Sequence, residues 1–295
     1  MTDLFLQLLA SGLLTGGIYA LISVGLTLVF GVLRVVNFAH GEYLTIAMYS
    51  CFFLWQALGI DPYLAGLIVI PFLFILGMVT ERLLIRPTLE APHVVQVFIT
   101  FALSVWLQNL FLMAFSSDFL SVRTEAVRQT LSFGGVNVSL LRGTAFISAM
   151  ALAAALVLFL KYSYLGRAIR ATAQNRRSAR LVGVNVDRVY AITFGLGCAL
   201  VGAAGVLLSP LFPVNPYMGA DMILVAFVVV VLGGFGSVVG AVAAGLLLGT
   251  IESFSGFYLG SEMKQLVYFV FFIIVLAVRP TGLLGRKGSE VMEVT

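Results

Sequence analysis

Three strings in this 295-residue chain place polar or backbone-exposing groups where recognition or transport chemistry could occur. The first is Asn37-Phe38-Ala39-His40-Gly41-Glu42, which sets an amide, an imidazole and a carboxylate between two apolar runs. Asn37, His40 and Glu42 could line a translocation path. A charged side chain at the centre of a membrane helix costs about 2.5–3.5 kcal/mol. Such a segment is therefore either a polar turn at the membrane interface or a broken helix lining a pathway, and both readings stand at this point. The second string, Leu232-Gly233-Gly234-Phe235-Gly236-Ser237, interrupts a later apolar stretch with three glycines, Gly233, Gly234 and Gly236.

The third string is basic. From Tyr162 to Arg188 there are six arginines and one acid, Asp187, with Lys161 at the edge. Arg167, Arg170, Ala171 and Gln174 recur at helical spacing, as do Ala168, Ala171, Ala179 and Val182, while Gly166 and Gly183 punctuate the ends. This pattern predicts a short helix. It could simply lie on anionic headgroups, which favour basic residues. Alternatively it docks into a partner's groove, with the alanines allowing close approach and the arginines on the rim pairing with acids.

Catalytic chemistry is poorly supplied. No GxxxxGK[ST] loop occurs; the nearest string, Gly282-Leu283-Leu284-Gly285-Arg286-Lys287-Gly288, has the wrong order, so ATP hydrolysis by that route is excluded. There is no HExxH, no nucleophile elbow and no paired carboxylates on a soluble domain. His40 and His93 are too isolated to form a metal cluster, and Cys51 and Cys198 sit in apolar stretches as small packing residues. No cofactor is expected on this chain, and no enzyme activity. A ladder of acids and histidines through the apolar stretches is also missing, which disfavours proton coupling.

The elements that must position these strings follow from composition. Hydrophobic residues make up 61% of the chain and charged ones 10%, against about 25% charged in a soluble domain. A water-soluble fold of this size could not hide that apolar surface. About 20 apolar residues cross a bilayer, and candidate spans fall near 5–33, 43–58, 62–81, 94–115, 144–161, 189–209, 222–235, 237–254 and 264–279. The first is too long for a cleaved signal and is expected to be retained. The expected fold is an all-α polytopic transmembrane helical bundle of 8–9 spans.

Charge placement orients it. With nine spans and the N-terminus outside, thirteen of the 17 lysines and arginines face inward, and only Arg123, Arg128, Arg142 and Lys264 face outward. The C-terminus is then cytoplasmic. Residues 1–295 form a single domain, in which 116–143 is a periplasmic loop with a hairpin turn at Phe133–Asn137, and 162–188 a cytoplasmic loop. The GxxxG pairs Gly12/Gly16, Gly236/Gly240, Gly245/Gly249 and Gly256/Gly260 predict close helix packing or dimerisation. Gln108, Asn109 and Glu252 are expected to face the bundle interior.

Leu33 to Glu42 resembles the segment after the first span of LivH-type permeases, the membrane subunits of branched-chain amino acid ABC importers. Gly166-Arg167-Ala168-Ile169-Arg170-Ala171, with Asn175, Ala179, Gly183 and Val184, is similar to the ATPase-facing loop of that family. Leu232 to Ala241 resembles its glycine-rich late segment, and Arg279-Pro280-Thr281-Gly282-Leu283 its C-terminal end. The resemblance implies a multi-pass protein of the bacterial inner membrane that translocates branched-chain or similar small amino acids. Its implied partners are a second, LivM-like permease, two cytoplasmic LivG/LivF-like ATPases that bind the ATP, and a periplasmic binding protein. Membrane lipid surrounds it, and nucleic acid plays no part. Permeases of the same group that carry urea or short amides share these motifs. An ion-coupled secondary transporter is the alternative from another class.

Overall fold

The computed structural model describes residues 2–122, 129–133 and 136–285. Each of the nine apolar stretches forms a helix: α1 (Thr2–Leu33), α2 (His40–Leu58), α3 (Pro62–Thr80), α4 (His93–Phe115), α5 (Leu140–Tyr162), α8 (Val186–Leu208), α9 (Met218–Gly233), α10 (Val238–Tyr258) and α11 (Lys264–Val278). Two short helices, α6 (Tyr164–Gln174) and α7 (Arg176–Leu181), fill the basic segment. Among the described residues, seven helices are long and apolar enough to cross a membrane. The α9 helix has 16 residues, about 24 Å of rise against a core of about 30 Å.

Helix α1 is the axis. It packs against α10, α8, α5 and α9, and most of its length from Gly12 onward is buried. Lipid tails are as apolar as leucine, so helices in a membrane associate through close backbone contact rather than a hydrophobic drive. The glycine pairs supply that contact within the chain. A Cβ on Gly16 would stand 2.6 Å from the Gly245 carbonyl oxygen, and one on Gly12 2.6 Å from Cα of Thr250. The two pairs Gly12/Gly16 and Gly245/Gly249 thus form one α1–α10 interface. Gly25 and Gly197 do the same between α1 and α8, and Gly41 and Gly219 between α2 and α9. The pair Gly256/Gly260 is different, because Gly260 has open space around it and φ of +93°.

The periphery is formed by α4, α5 and α11, which expose most of their apolar side chains. Between α4 and α5, β1 (Thr130–Phe133) and β2 (Val136–Ser139) pair antiparallel, with Phe133 opposite Val136. The turn expected at Gly134-Gly135 lies outside the described residues, as do Arg123, Arg128, Arg286 and Lys287. The side-chain amide of Gln7 donates to the Asn137 carbonyl at 2.9 Å and accepts from its N–H at 2.8 Å, so it acts as one extra rung on β2. Leu120 and Val214 exchange two backbone hydrogen bonds and tie the segment after α4 to the α8–α9 connection.

Candidate functional site

The basic segment is built from three helix caps in series. Ser163 accepts from the Gly166 N–H, Asn175 from Ser178 and Asn185 from Arg188, each at 2.8–2.9 Å. Short side-chain acceptors at these positions satisfy the first free N–H groups of each helix and break the chain into α6, α7 and α8. Asp187 and Arg188 therefore begin α8 rather than ending a loop. Arg86, past the end of α3, anchors this end: its guanidinium donates to the Asp187 carbonyl at 2.8 Å and pairs with the buried Glu81 at 3.2 Å.

The faces of α6 and α7 differ from the expected arrangement. Gly166, Ala168, Ile169, Thr172 and Ala179 turn toward their own bundle and are buried. A Cβ on Gly166 would strike the Phe159 carbonyl oxygen. Small residues here let α6 fold back onto the end of α5, so Ala168 and Ala179 leave no alanine face for a partner, and Ala171 is half-buried. The free face instead carries Arg167, Arg170, Asn175, Arg176, Arg177 and Arg180. Beside them Leu181 and Val182 are 84% and 78% exposed. Gly183, with φ of +85° and open space around it, turns the chain after them.

The two breaks meet. Gly31, at the end of α1, would place a Cβ 2.9 Å from Cα of Gly236. Phe30 and Phe235 lie 4.3 Å apart between ring centroids, Phe227 lies 6.4 Å from Phe235, and Phe38 stacks 5.9 Å from Phe227. Gly233 packs on the Gly240–Ala241 backbone, while Gly234 adopts φ of +94° against Gly285. The C-terminal segment folds back here. The N–H groups of Leu283 and Leu284 donate to the Leu232 and Gly233 carbonyls at 2.7 and 3.1 Å, capping α9. The three glycines of this break are thus points of backbone-to-backbone packing.

The polar residues of the first break point in different directions. His40 is buried against α1, its Nε2 3.2 Å from the Ile22 carbonyl. Asn37 is buried with neither amide atom hydrogen-bonded. Glu42 turns toward α4, where its Oε1 accepts from the Ser104 hydroxyl at 3.0 Å and its Oε2 has no partner. Thr100 on α4 donates to the Val36 carbonyl at 3.0 Å, which fixes α4 on the break itself. Ser104 escaped sequence reasoning because nothing in the sequence pairs α2 with α4. The one available signal was a pair of hydroxyls four residues apart, Thr100 and Ser104, in an apolar run.

Two of the intramembrane polar groups also lie elsewhere than expected. Asn109 is exposed on the surface of α4 and Gln108 is half-exposed. Glu252 is paired with Lys264 at 3.7 Å, toward the C-terminal end of α10. Two cavities flank these features. One of about 390 Å³ is lined by Gln7, Asn137, Arg142 and Pro210 beside β2, and one of about 230 Å³ by Tyr43, Leu76, Thr80, Leu103 and Trp106 between α2, α3 and α4.

Residues 8–276 match the family described as "Branched-chain amino acid transport system / permease component". The chain is 37% identical to the high-affinity branched-chain amino acid transport system permease protein LivH of Escherichia coli (strain K12), across 97% of each chain. It is 35% identical to BraD of Pseudomonas aeruginosa, again across 97% of each, and 27% identical to a probable LivH of Methanocaldococcus jannaschii. Among solved structures, PsaBC from Streptococcus pneumoniae in complex with Fab shares the fold with a TM-score of 0.52 at 12% identity, covering 95% of this chain and 97% of that one.

Proposed function

The chain belongs to the branched-chain amino acid transport permease family, and on that premise we propose that it is the membrane-spanning subunit of an importer for branched-chain or similar small apolar amino acids, powered by separate ATPases. The observation that carries the ATPase-driven reading is the projecting α6–α7 element, whose free face combines arginines with the exposed pair Leu181 and Val182. An apolar knob inside a cationic rim suits a groove with an apolar floor and acidic walls.

In this reading the chain crosses the bacterial inner membrane nine times with its N-terminus outside. Residues 116–143 are periplasmic and 162–188 cytoplasmic. The charge asymmetry supports this orientation, as do the hydrogen bonds of Arg86 to the Asp187 carbonyl and of Arg170 to the Lys161 carbonyl, which bring the basic ends of α3 and α5 to α6–α8. The partners are a second permease, two cytoplasmic ATPases that hold the ATP, and a periplasmic binding protein. Closure of the ATPases shifts α6–α7. Because α6 packs on the end of α5 and on α8, that shift biases the bundle between outward- and inward-facing states. Asn37, His40, Glu42, Gly233, Gly234 and Gly236 belong to the region that moves or lines the path.

The test is reconstitution with the two ATPases, the second permease and the binding protein in proteoliposomes. Leucine uptake that requires both ATP and the ATPases is expected, with competition by isoleucine and valine and little by urea or short amides. Uptake without the ATPases would refute the reading.

A further inference from the structure

The seam between α2 and α4 changes character along its length. Phe38, Glu42, Thr45, Tyr49 and Phe53 follow one another at steps of three or four residues, the spacing of a single helix face. Phe101, Ser104, Phe111 and Phe115 answer them from α4. At the inner end Phe38 and Phe101 meet edge-on at 6.4 Å, with Phe227 stacked behind. Toward the outer end Tyr49 packs on Phe111 at 5.5 Å and on Phe115 at 4.5 Å, with Phe53 against Phe115 at 5.0 Å. Between these two aromatic clusters sits one carboxylate, Glu42, at 1% exposure. The Ser104 hydroxyl donates to one of its oxygens, and the other is unpartnered. One turn further along α2, the Thr45 hydroxyl is buried without a hydrogen bond at the α2–α9 contact, where a Cβ on Gly219 would stand 2.7 Å from it.

No ion pair among the described residues includes Glu42. A carboxylate held inside a lipid-embedded bundle is costly unless something cationic or strongly donating reaches it. An ammonium group meets that need with three N–H donors and a full positive charge. Aromatic walls on either side suit an aliphatic side chain and exclude water from the polar station. Of the two helices, α4 is the one able to part, pivoting on its Thr100–Val36 hydrogen bond, since only Gln96, Thr100 and Phe111 of its 23 residues are buried.

We propose that Glu42, with Ser104 beside it, receives the ammonium group of an apolar zwitterionic amino acid in transit, and that the Phe38/Phe101/Phe227 and Tyr49/Phe111/Phe115 clusters are the inner and outer closures of that station. The assignment rests on the importer reading above. In the closed seam Ser104 occupies one carboxylate oxygen. Displacement of α4 exchanges that hydroxyl for an N–H of the ligand.

The test uses the assembled importer in proteoliposomes. Glu42→Gln keeps the shape and removes the charge, and leucine uptake per ATP hydrolysed is expected to fall about tenfold or more, as for loss of a charge-assisted hydrogen bond. Uptake per ATP within about twofold of the parent overturns the proposal and leaves the importer reading intact. Absence of leucine uptake in the unsubstituted assembly would remove the importer reading and this assignment together. If Glu42→Gln fails to assemble, Ser104→Cys on a Cys51→Ala/Cys198→Ala background decides. Labelling by 2-aminoethyl methanethiosulfonate during ATP turnover is expected, and leucine with the binding protein should slow it severalfold. Labelling that leucine does not slow, or no labelling in any state, overturns the proposal.

Discussion

Glu81 lies on a single π-helical turn at the C-terminal end of α3, its carboxylate wholly buried and facing the Arg86 guanidinium. Because the same guanidinium reaches the Asp187 carbonyl, one side chain neutralises a buried charge and joins α3 to α8. Removing one partner of a buried pair costs about 3–5 kcal/mol, because the other charge is left unpaired. Arg86 is about one-third exposed, so Arg86→Ala should fall at the low end of that range. The double change Glu81→Gln/Arg86→Met should recover most of the loss. Thermal unfolding in detergent, followed by tryptophan fluorescence, checks both.

Glycine contacts are also decided residue by residue. A Cβ on Gly249 would overlap Cα of Gly16, whereas one on Gly143 meets nothing nearer than 3.7 Å. Gly249→Val should destabilise by at least the 1–3 kcal/mol typical of overpacking. Gly143→Ala should be neutral or stabilising by up to about 1 kcal/mol, since alanine is the better helix former. Equal melting temperatures for these two variants would contradict the α1–α10 interface.

At the scale of elements, α6 and α7 show how one amphipathic stretch can serve its own bundle and still offer a surface. The buried Ala168, Ile169 and Thr172 hold α6 in place; the opposite face is exposed. Leu181→Ala/Val182→Ala is expected to lower ATP-driven leucine uptake about thirtyfold or more, in line with loss of two apolar anchors at about 1 kcal/mol or more each, without loss of membrane insertion. Arg170→Glu should act in the same direction by reversing the rim charge. Retained uptake in both would argue that α6–α7 is only a topogenic segment.

For the whole molecule, the ends of α1, α9 and α11 are gathered at one end by Gly31, Gly236, Gly282 and Gly285. Gly282 has φ of +78°, and a Cβ there would stand 2.6 Å from the Val231 carbonyl oxygen. Gly282→Val should therefore loosen the C-terminal fold-back, costing about 1–2 kcal/mol for the left-handed backbone alone and exposing the segment to protease. The orientation is checked separately. On a Cys51→Ala/Cys198→Ala background, a membrane-impermeant thiol reagent should label Ser116→Cys from outside the cell and Ser178→Cys only after lysis. The reverse pattern would invert the topology.

How much of this was legible beforehand depends on the range of the physics involved. Span positions, the helical basic segment and the α1 and α10 glycine pairs follow from hydropathy, charge and spacing within one stretch of chain, so the sequence by itself determined them. The burial of Ala168 and Ala179, the exposure of Asn109 and the pairing of Glu42 with Ser104 were settled only in the tertiary structure. Each depends on which face of one helix meets which face of another, and for helices apolar all round the period says little about that choice. In α1 and α8 nearly every face is covered, and in α4 nearly every face is open, although all three are comparably apolar. Only packing distinguishes them, because small residues and polar contacts rather than hydrophobicity decide which helices associate inside a membrane.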